Sequence, residues 1–523
     1  MTDNAVDSES ESDADEDVNE AESPIVNGTI VTNAEQIGIV MTWASQSNGS
    51  WAQCTGSMLS NQWVLTAAHC ISDSNIVDPT TVVVENRNSA GTVLSSVLAK
   101  EVIRHPGAIN GWDWGRDAAL IRLATPITLP GAAAPWVRQM SGQPSAYYDK
   151  TFVQCLGYGI SSRNPDVFDG RLRSGSLFIG TVYEPDFSAD RTSGVHIWNG
   201  DSGGPCLSGT GSILGVASHK DVWTPENGWY KGSPSFRRWV GQTRTTETFV
   251  AADSGLCMDV MWGGTVNGVG LHQWTCNGGE AQKFRLTSAG GEFFNLRALN
   301  SGKCVSVIDN VDGSTIQQYG CIGDAGQAYH QQWVVENTSP TTVRLRNRYS
   351  NRCLDRGSGT TAGTQLVQRA CNLSSSQNWS SKTNADLEGS HYGLQNLSNS
   401  KCVDVPGGTT ADNVQVDQWD CLGADQENLR PTVNADGYYL LKFAHSNSCL
   451  EISSWFQNDG APALQWTCHG GTNQQWKIVR RANGYEVRAR HSDKCLQAGG
   501  SNNGEALTQS TCNGSTRQIW NFQ

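Results

Sequence analysis

The sequence has few charged side chains for its length, no long apolar run and no basic stripe. Only 17% of its 523 residues are charged, and the net charge of −13 comes mostly from one end of the chain. No apolar run approaches the roughly 18 residues needed to cross a bilayer, so we expect no membrane span. Because the sequence has no stripe of Lys and Arg that could bind a phosphate backbone, we expect no nucleic acid partner.

Lysine and arginine are absent from residues 1–24, which hold ten Asp or Glu. This segment has too little apolar surface to fold, so the composition predicts a disordered, acidic pro-segment. The rest of the chain carries a net charge of only −3. Its many Gly, Ser, Asn, Thr and Trp residues favour strands and turns over helices.

Cysteine is present in an even number, sixteen in all. A fully paired set implies an oxidising compartment, so the count predicts a secreted, extracellular protein. The histidines are scattered along the chain, and we expect no metal site and no cofactor.

Short motifs in the first half of the chain follow an order of His, Asp and Ser. The motifs are "TAAHC" at 66–70, "DAAL" at 117–120 and "NGDSGGPC" at 199–206, together with "IVNG" at 25–28 and "VQCLGYG" at 153–159. In this order and spacing they resemble the trypsin/chymotrypsin family of serine proteases. The resemblance covers residues 25–243 and implies two six-stranded antiparallel β-barrels with the catalytic residues at their junction.

The resemblance implies a catalytic triad of His69, Asp117 and Ser202. A serine hydroxyl becomes a nucleophile when an imidazole accepts its proton, and an acid holds that imidazole in the correct tautomer. The main-chain N–H groups of Gly200 and Ser202 would stabilise the developing oxyanion. Asp113 is a rival for the acid, but only Asp117 begins the "DAAL" strand, so we prefer Asp117.

The same resemblance implies an activation step in which a new N-terminus at Ile25 folds inward. Its ammonium would pair with Asp201 and order the loop that carries Gly200 and Ser202. A trypsin-like activator cannot make the cut, because residues 1–24 lack Lys and Arg and Pro24 precedes Ile25. A solubilising tail on an already competent enzyme is the alternative interpretation of residues 1–24.

The residues of the implied specificity pocket are His196, Ser218 and Lys220, with His219 beside them. An acid at position 196 would select Arg or Lys, and this chain lacks one. The pocket is therefore not expected to be that of trypsin. A preference for acidic side chains and a blocked or shallow apolar pocket both remain open.

Beyond residue 244 a motif of two cysteines followed by Gln-x-aromatic recurs six times. The first cysteines are spaced by 46 to 49 residues, and each is followed by a second cysteine 17 to 19 residues later. Six such units resemble two ricin-B-type lectin domains, each a β-trefoil of three repeats. The implied domains span residues 244–383 and 384–523.

Sugar binding in that family needs an acid two residues after the first cysteine and an aromatic residue two before the second. The acid accepts hydrogen bonds from sugar hydroxyls, and the ring covers the apolar face of the sugar. The first repeat meets this test with Asp259 and Trp274, beside His272, and the fourth meets it with Asp404 and Trp419, beside Asp417. The fifth nearly meets it with Glu451 and Trp466, where the longer acid would shift the sugar. The other three repeats, with Ser306 and Tyr319, Asp355 and Arg369, and Gln497 and Ser510, are expected to bind weakly or not at all.

The resemblance implies two further structural features, the role of the closing motif and the disulfide pairs. The Gln and aromatic residues of the closing motif are expected to serve the trefoil core, and in the fourth repeat this motif decays to "DQENLR" at 425–430. The implied disulfides are Cys54–Cys70, Cys155–Cys206, Cys257–Cys276, Cys304–Cys321, Cys353–Cys371, Cys402–Cys421, Cys449–Cys468 and Cys495–Cys512. These pairs leave no thiol for catalysis or metal.

The sequence thus predicts an all-β chain, with a two-barrel chymotrypsin-like protease domain followed by two β-trefoil domains. We interpret it as a secreted, monomeric serine endopeptidase that cleaves protein or peptide substrates and is targeted by carbohydrate binding. The alternative is a carbohydrate-binding lectin whose protease domain is inactive or serves as a scaffold.

Overall fold

The computed structural model describes most of the chain from Ile25 onward. The described residues are 25, 28–46, 48–71, 79–105, 108, 117–130, 150–160, 167–183, 186–190, 197–209, 211–219, 226–231, 239–241, 243–289, 292–322, 328–339, 341–372, 374–385, 391–434 and 436–523. The predicted pro-segment, residues 1–24, lies outside them.

Strands dominate the N-terminal part of the described chain. They are β1 Thr29–Ile30, β2 Ile39–Ser45, β3 Trp51–Met58, β4 Trp63–Thr66, β5 Val82–Arg87, β6 Val93–Arg104, β7 Ala119–Leu123, β8 Phe152–Gly157, β9 Arg173–Tyr183, β10 Asp186–Asp190, β11 Pro205–Leu207, β12 Ile213–His219 and β13 Glu226–Lys231. Alternating burial along β5 is the pattern of a strand with one face toward a core.

Two six-stranded barrels form from these strands, as the sequence predicts. The first closes in the order β2-β3-β4-β7-β6-β5. The second follows β9-β10-β13-β12-β11-β8, and pairing of β8 with β9 closes the circuit. Closure leaves these strands without free edges, and β1 adds to the outside of the second barrel by pairing with β9.

The C-terminal part of the chain is also made of short antiparallel strands. The first group is β14 Thr245–Ala251, β15 Cys257–Val260, β16 Leu271–Trp274, β17 Phe284–Ser288, β18 Phe294–Ala298, β19 Cys304–Ser306, β20 Gln317–Tyr319, β21 Gln332–Asn337, β22 Val343–Asn347, β23 Arg352–Asp355, β24 Val367–Ala370 and β25 Trp379–Ala385. The second group is β26 Tyr392–Asn396, β27 Lys401–Asp404, β28 Val414–Gln415, β29 Asp417–Asp420, β30 Asn428–Val433, β31 Tyr439–Phe443, β32 Cys449–Ile452, β33 Ala463–Trp466, β34 Gln475–Arg481, β35 Gly484–Ala489, β36 Cys495–Gln497, β37 Glu505–Ala506, β38 Thr508–Ser510 and β39 Trp520–Phe522.

Each group is a β-trefoil, with a six-stranded barrel and three hairpins. In the first, β14, β17, β18, β21, β22 and β25 close the barrel. In the second, β26, β30, β31, β34, β35 and β39 do the same. The domain boundaries at 243/244 and 383/384 remain predictions; strand β25 runs to Ala385.

The tryptophans of the closing motifs lie in the trefoil cores, as expected. Trp333, Trp379, Trp476 and Trp520 are at most 1% exposed. Each indole N–H donates to a main-chain carbonyl 24 to 28 residues earlier in the chain. A repeat this small cannot bury an indole alone, so stacking three repeats around one barrel provides the core.

The helices of the described residues are short. The 3₁₀-helices are Ala34–Gln36, Ala68–Cys70, Pro79–Thr81, Met261–Gly263, Glu280–Gln282, Ala328–Gln331, Ser375–Gln377, Pro406–Gly408, Asp425–Glu427, Ser453–Trp455, Thr472–Gln474 and Thr516–Gln518, and residues 239–241 are also helical. Within the described ranges, no helix has the length and apolar character that crossing a membrane requires.

The structure contains eight disulfides, and each joins two cysteines that the resemblance paired. All sixteen cysteines are used. In every trefoil repeat the first cysteine lies on one strand and the second lies just after the strand paired with it, so the bridge closes the hairpin that carries the candidate sugar-binding residues.

A buried charge cluster joins the first barrel to the first trefoil. Glu101 on β6 is 4% exposed and accepts two hydrogen bonds from the Arg285 guanidinium, at 3.1 and 3.3 Å. Burial alone would raise the pKa of Glu101, but Arg285 and Arg297 hold it below its ordinary value. The Arg285 guanidinium also lies 4.8 Å from the centroid of the Trp63 ring. The interface therefore holds the acid ionised out of water.

Further contacts bring the second trefoil into the same packed assembly. The Arg244 guanidinium lies 4.4 Å from the centroid of the Tyr392 ring. Tyr439 donates to the main-chain carbonyl of Thr383 at 2.9 Å, across the two trefoils. These buried contacts hold the trefoils at defined positions relative to the barrels, in contrast to a flexible tether.

Replacing Arg285 with Ala should lower the free energy of unfolding by about 3–5 kcal/mol, because Glu101 stays buried without its main partner. Arg344→Ala is the matched control. It removes an arginine from another strand of the same trefoil, where Arg344 and Glu336 are each more than 20% exposed, and should cost under about 1 kcal/mol. Urea denaturation measures both; equal losses would contradict the interface account.

Candidate functional site

The clearest pair of candidate catalytic side chains is His69 and Asp117. Nδ1 of His69 lies 2.7 Å from Oδ2 of Asp117, and the main-chain N–H of His69 donates to Oδ1 at 2.9 Å. The Ser218 hydroxyl also donates to Oδ2, at 2.6 Å. Burial alone would raise the pKa of Asp117, but these donors and the imidazole lower it to about 2.

Strand pairing explains why these two residues meet. His69 lies in the 3₁₀-helix that follows β4, and Asp117 lies two residues before β7. The two strands are antiparallel, with Thr66 opposite Ala119. The end of one strand and the start of the other therefore lie at the same rim of the barrel.

The Ser202 loop packs against this rim. The main-chain carbonyl of Ser202 accepts a hydrogen bond from the Thr55 N–H at 2.8 Å, and that of Gly200 accepts one from the Thr55 hydroxyl at 2.9 Å. A Cβ at Gly203 would overlap Thr55 and Thr66, so only glycine allows this approach. The described residues include no hydrogen bond between the Ser202 hydroxyl and His69.

Asp201 ties the loop to the start of the described chain. It is 1% exposed and accepts hydrogen bonds from the main-chain N–H groups of Ile25, Gly159 and Trp198, at 3.2, 2.8 and 2.8 Å. Burial raises its pKa to about 6 in spite of these donors. A Cβ at Gly159 would lie 2.7 Å from the carboxyl atoms, so the pocket has no spare room.

The residues assigned to the specificity pocket are only partly described. Ser218 directs its hydroxyl to Asp117, a contact that the sequence analysis did not predict. His196, Lys220 and the rival acid Asp113 lie outside the described residues, and only the backbone of His219 is described.

In the first trefoil repeat, an acid, an imidazole and two indoles form one cluster. Asp259 is 5% exposed, and its carboxylate lies 3.1 Å from Nε2 of His272 and accepts the Gln282 amide at 2.8 Å. His272 stacks on Trp274 with ring centroids 5.1 Å apart. Trp262 is 83% exposed and stands edge-to-face to Trp274, at 5.8 Å.

The fifth repeat builds a similar cluster from different positions. Glu451 accepts the Gln474 amide at 2.8 Å, and its Oε2 lies 3.2 Å from Nε2 of His469. His469 stacks on Trp455 at 5.4 Å. In the fifth repeat the histidine, His469, follows the second cysteine of the repeat. In the first repeat the histidine, His272, precedes it. The same pairing of acid and imidazole is therefore built from two different sequence positions.

Comparison with known proteins matches each of the two parts of the chain to a known family. The Trypsin family model matches residues 29–240, and the Ricin-type beta-trefoil lectin domain model matches residues 245–379, 341–476 and 390–520. Brachyurin of Leptuca pugilator is 31% identical over 176 residues, which cover 32% of this chain and 74% of that protein. The chain belongs to the trypsin family and carries ricin-type β-trefoil lectin domains.

Other relatives match one part each. Chymotrypsin-like elastase family member 1 of Macaca fascicularis is 30% identical over 215 residues, covering 36% of this chain and 79% of that protein. Among solved structures, the designed threefold symmetric protein ThreeFoil is 32% identical and covers 25% of this chain and 96% of its own, with a TM-score of 0.25.

The closing glutamines of the lectin repeats have a second task besides filling the core. Gln282, Gln377, Gln474 and Gln518 are fully buried. Each donates its amide N–H to the side chain at the acid position: Asp259, Asp355, Glu451 or Gln497. The sequence analysis assigned these glutamines to the core alone.

The lectin repeats expected to bind weakly differ in their local contacts. Asp355 accepts hydrogen bonds from Gly357, Ser376 and Gln377, so its carboxylate is already satisfied within the protein. The Arg369 side chain, in the aromatic position of that repeat, lies 3.7 Å from Asp312 instead.

The fourth lectin repeat is the exception to the glutamine pattern. Glu427 stands in the glutamine position, and its Oε2 accepts the Leu422 and Gly423 N–H groups at 2.7 Å each. Burial raises the pKa of Asp404 to about 6, and burial together with Asp404 raises that of Asp417 to about 7. Burial raises the pKa of Glu427 to about 8.

Several contributors were missed at the sequence level. Trp262 and Trp455 lie in turns three and four residues after the acid, and both adopt positive φ, at 58° and 55°. A tryptophan three or four residues after the acid is a usable sequence signal for an aromatic platform. The partners of Ser218 and His469 depend on loop paths, which residue spacing does not reveal.

Proposed function

We propose that this protein is a secreted serine endopeptidase whose lectin domains hold it on glycan-rich surfaces. The observation that carries the catalytic part is the set of donors on Asp117. Because its carboxylate binds the Nδ1 side of His69 at 2.7 Å, the hydrogen belongs on Nδ1 and the lone pair on Nε2. A neutral imidazole with a free Nε2 is the form that a general base needs.

The proposed reaction is acyl transfer through a covalent intermediate. His69 takes the proton of the Ser202 hydroxyl as its oxygen attacks the peptide carbonyl, and later returns a proton to the leaving amine. With a pKa of about 2, Asp117 stays ionised at neutral pH and stabilises the imidazolium. The N–H groups of Gly200 and Ser202 donate to no other described residue, so both are suited to the oxyanion.

The Ile25–Asp201 contact supports the proposed activation step. In the uncut chain the Ile25 donor is a neutral peptide N–H, because Pro24 precedes it. A cut between them creates an ammonium beside a buried carboxylate, and the added charge favours ionised Asp201. We expect this charge to order the Ser202 loop, which makes residues 1–24 an inhibitory pro-segment.

The lectin domains are proposed to bind carbohydrate at the first, fourth and fifth repeats. Buried acids beside partly exposed indoles provide acceptors for sugar hydroxyls and a surface for the apolar sugar face. Several weak sites on one rigid chain act together through avidity. The eight disulfides are compatible with an extracellular location.

Replacing Ser202 with Ala should lower kcat/KM for peptide hydrolysis by about 10⁴-fold or more, because the nucleophile is lost. Ser208→Ala is the control, since Ser208 lies on the same segment and its hydroxyl accepts the N–H of the nearby Ser212. A fluorescent peptide library measures both. Equal activity of the two variants would favour the alternative, a lectin with a scaffold protease domain.

A chain that begins at Ile25 should be active, and one that retains residues 1–24 should be at least about tenfold less active, because only the free ammonium adds charge at Asp201. N-terminal sequencing of active material should give Ile-Val-Asn-Gly. Asp201→Asn should remove activity while circular dichroism stays unchanged. Full activity in a chain still beginning at Met1 would leave residues 1–24 as a solubilising tail.

Asp259→Ala and Glu451→Ala together should weaken retention on immobilised neutral polysaccharides by about 10-fold or more, since each loss leaves sugar hydroxyls unpaired. Peptide hydrolysis should not change. Asp312→Ala, at a half-exposed acid of the first trefoil, controls for charge. Retention equal to that of the unaltered protein would refute the site assignment.

A further inference from the structure

The fourth lectin repeat lacks the amide donor that the other acid-bearing repeats use. In the first repeat, Gln282 accepts the Asn277 N–H with its oxygen and donates its nitrogen to Asp259. In the fourth repeat, Oε2 of Glu427 accepts main-chain N–H groups in the same way. The other oxygen, Oε1, therefore stands where the donor nitrogen would be. It is buried and has no hydrogen-bond partner among the described residues.

The acid at this site also faces a second acid in place of an imidazole. Asp404 and Asp417 are direct cross-strand partners on β27 and β29, and Asp404 together with burial raises the pKa of Asp417. Two neighbouring carboxyls resist ionising together, so one of them favours the protonated form. Oδ1 of Asp417 is buried and has no partner in the described part of the chain.

Three carboxyls are thus withdrawn from water beside one exposed ring. Asp404, Asp417 and Glu427 are 5%, 6% and 1% exposed, whereas Trp419 is 40% exposed. His445 is the basic group that lowers the pKa of Asp404, and its Nε2 lies 3.0 Å from the Thr409 carbonyl. The site is rich in carboxyl oxygens and poor in basic groups and amide donors.

The first and fifth repeats have the opposite balance. Each places an amide N–H and an imidazole on its single acid, so a neutral sugar needs to supply only hydroxyls. At the fourth repeat a hydroxyl supplies one donor and no charge. A primary ammonium supplies three donors and the missing positive charge.

A single metal ion fits these positions less well. Among the described residues, the only groups of three His, Cys, Asp or Glu ligand atoms within 4.8 Å of one another each include disulfide-bonded cysteines. The three carboxyls of the fourth repeat do not form such a group. A ligand that carries its cation on a ring can meet the acids while the ring packs on Trp419.

We propose that the fourth repeat binds an amino sugar through its free ammonium, which pairs with the buried carboxyls of Asp404 and Asp417, with the sugar ring on Trp419. The first and fifth repeats take neutral sugars. This inference rests on the proposed sugar-binding function and adds the ligand class of one site. Glu427 is the residue that determines the preference.

The test uses the full chain carrying Asp259→Ala and Glu451→Ala, so that the fourth repeat is the remaining assigned site. Titration calorimetry at about pH 6, where such amines are protonated, compares a β-1,4-linked glucosamine trimer with its N-acetylated form. The free amine should bind more tightly. Glu427→Gln should weaken its binding by about 10- to 100-fold, because the ammonium loses a carboxyl that ionises when it binds and meets an amide donor in its place.

Asp420→Asn is the matched control, since it replaces a carboxyl by an amide at an exposed position on β29, the strand of Asp417. It should leave the amine affinity unchanged. Glu427→Gln restores the side chain found in the other five repeats, so it is expected to fold, and an unchanged melting temperature checks this. Equal weakening by both variants would overturn the proposal, because general charge attraction would then explain the binding.

Two further outcomes would also overturn it. One is tighter or equal binding of the acetylated trimer; the other is binding of Nα-acetyl-lysine amide as tight as that of the glucosamine trimer, which would mean that the sugar ring is not recognised. If the protein without substitutions binds neutral saccharides but shows no Glu427-dependent amine preference, only this inference fails. If it binds no saccharide at all, the proposed lectin function fails as well.

Discussion

A carboxylate taken out of water must be met by donors or positive charge, and this constraint shapes every candidate site in the protein. Asp117 meets an imidazole, a hydroxyl and a main-chain N–H, and stays ionised. Asp201 meets three main-chain N–H groups, and its pKa nevertheless rises to about 6. Glu101 meets two guanidinium groups at the interface between barrel and trefoil. The donors that surround each carboxylate therefore determine its charge and the chemistry it can take part in.

The trefoils repeat one scaffold six times and vary only the donors around it. Where a glutamine and a histidine face the acid, as at Asp259 and Glu451, the acid is balanced and an indole lies beside it. Where a hydroxyl, an amide and a main-chain N–H surround Asp355, the acid is fully occupied. Where Glu427 replaces the glutamine, the repeat keeps its strands and its disulfide but has three carboxyls and no amide donor for its acid. One side chain thus changes the character of a site without changing its fold.

The motifs predict the fold, the roles of His69 and Asp117 and the cysteine pairs through their resemblance to two known families, and the structure places His69 beside Asp117 and forms all eight of the implied disulfides. The role of Ser218 was not predictable in that way, since its hydroxyl reaches Asp117 from a strand about 100 residues later in the chain. The imidazole at Glu451 was missed because His469 approaches along the loop after the disulfide. The sequence shows the change at Glu427 as a decayed closing motif. It does not show that two further acids lie near this residue, because that follows from the pairing of β27 with β29.

The central claim is that Ser202 is a nucleophile activated by His69 and positioned through Asp201. The most direct measurement is covalent labelling of a chain beginning at Ile25 with a fluorophosphonate, followed by peptide mass mapping. The account predicts one label per molecule, located on Ser202, and loss of labelling in His69→Ala. Absence of label on Ser202 in a folded chain beginning at Ile25, or equal labelling when His69 is replaced, would contradict it.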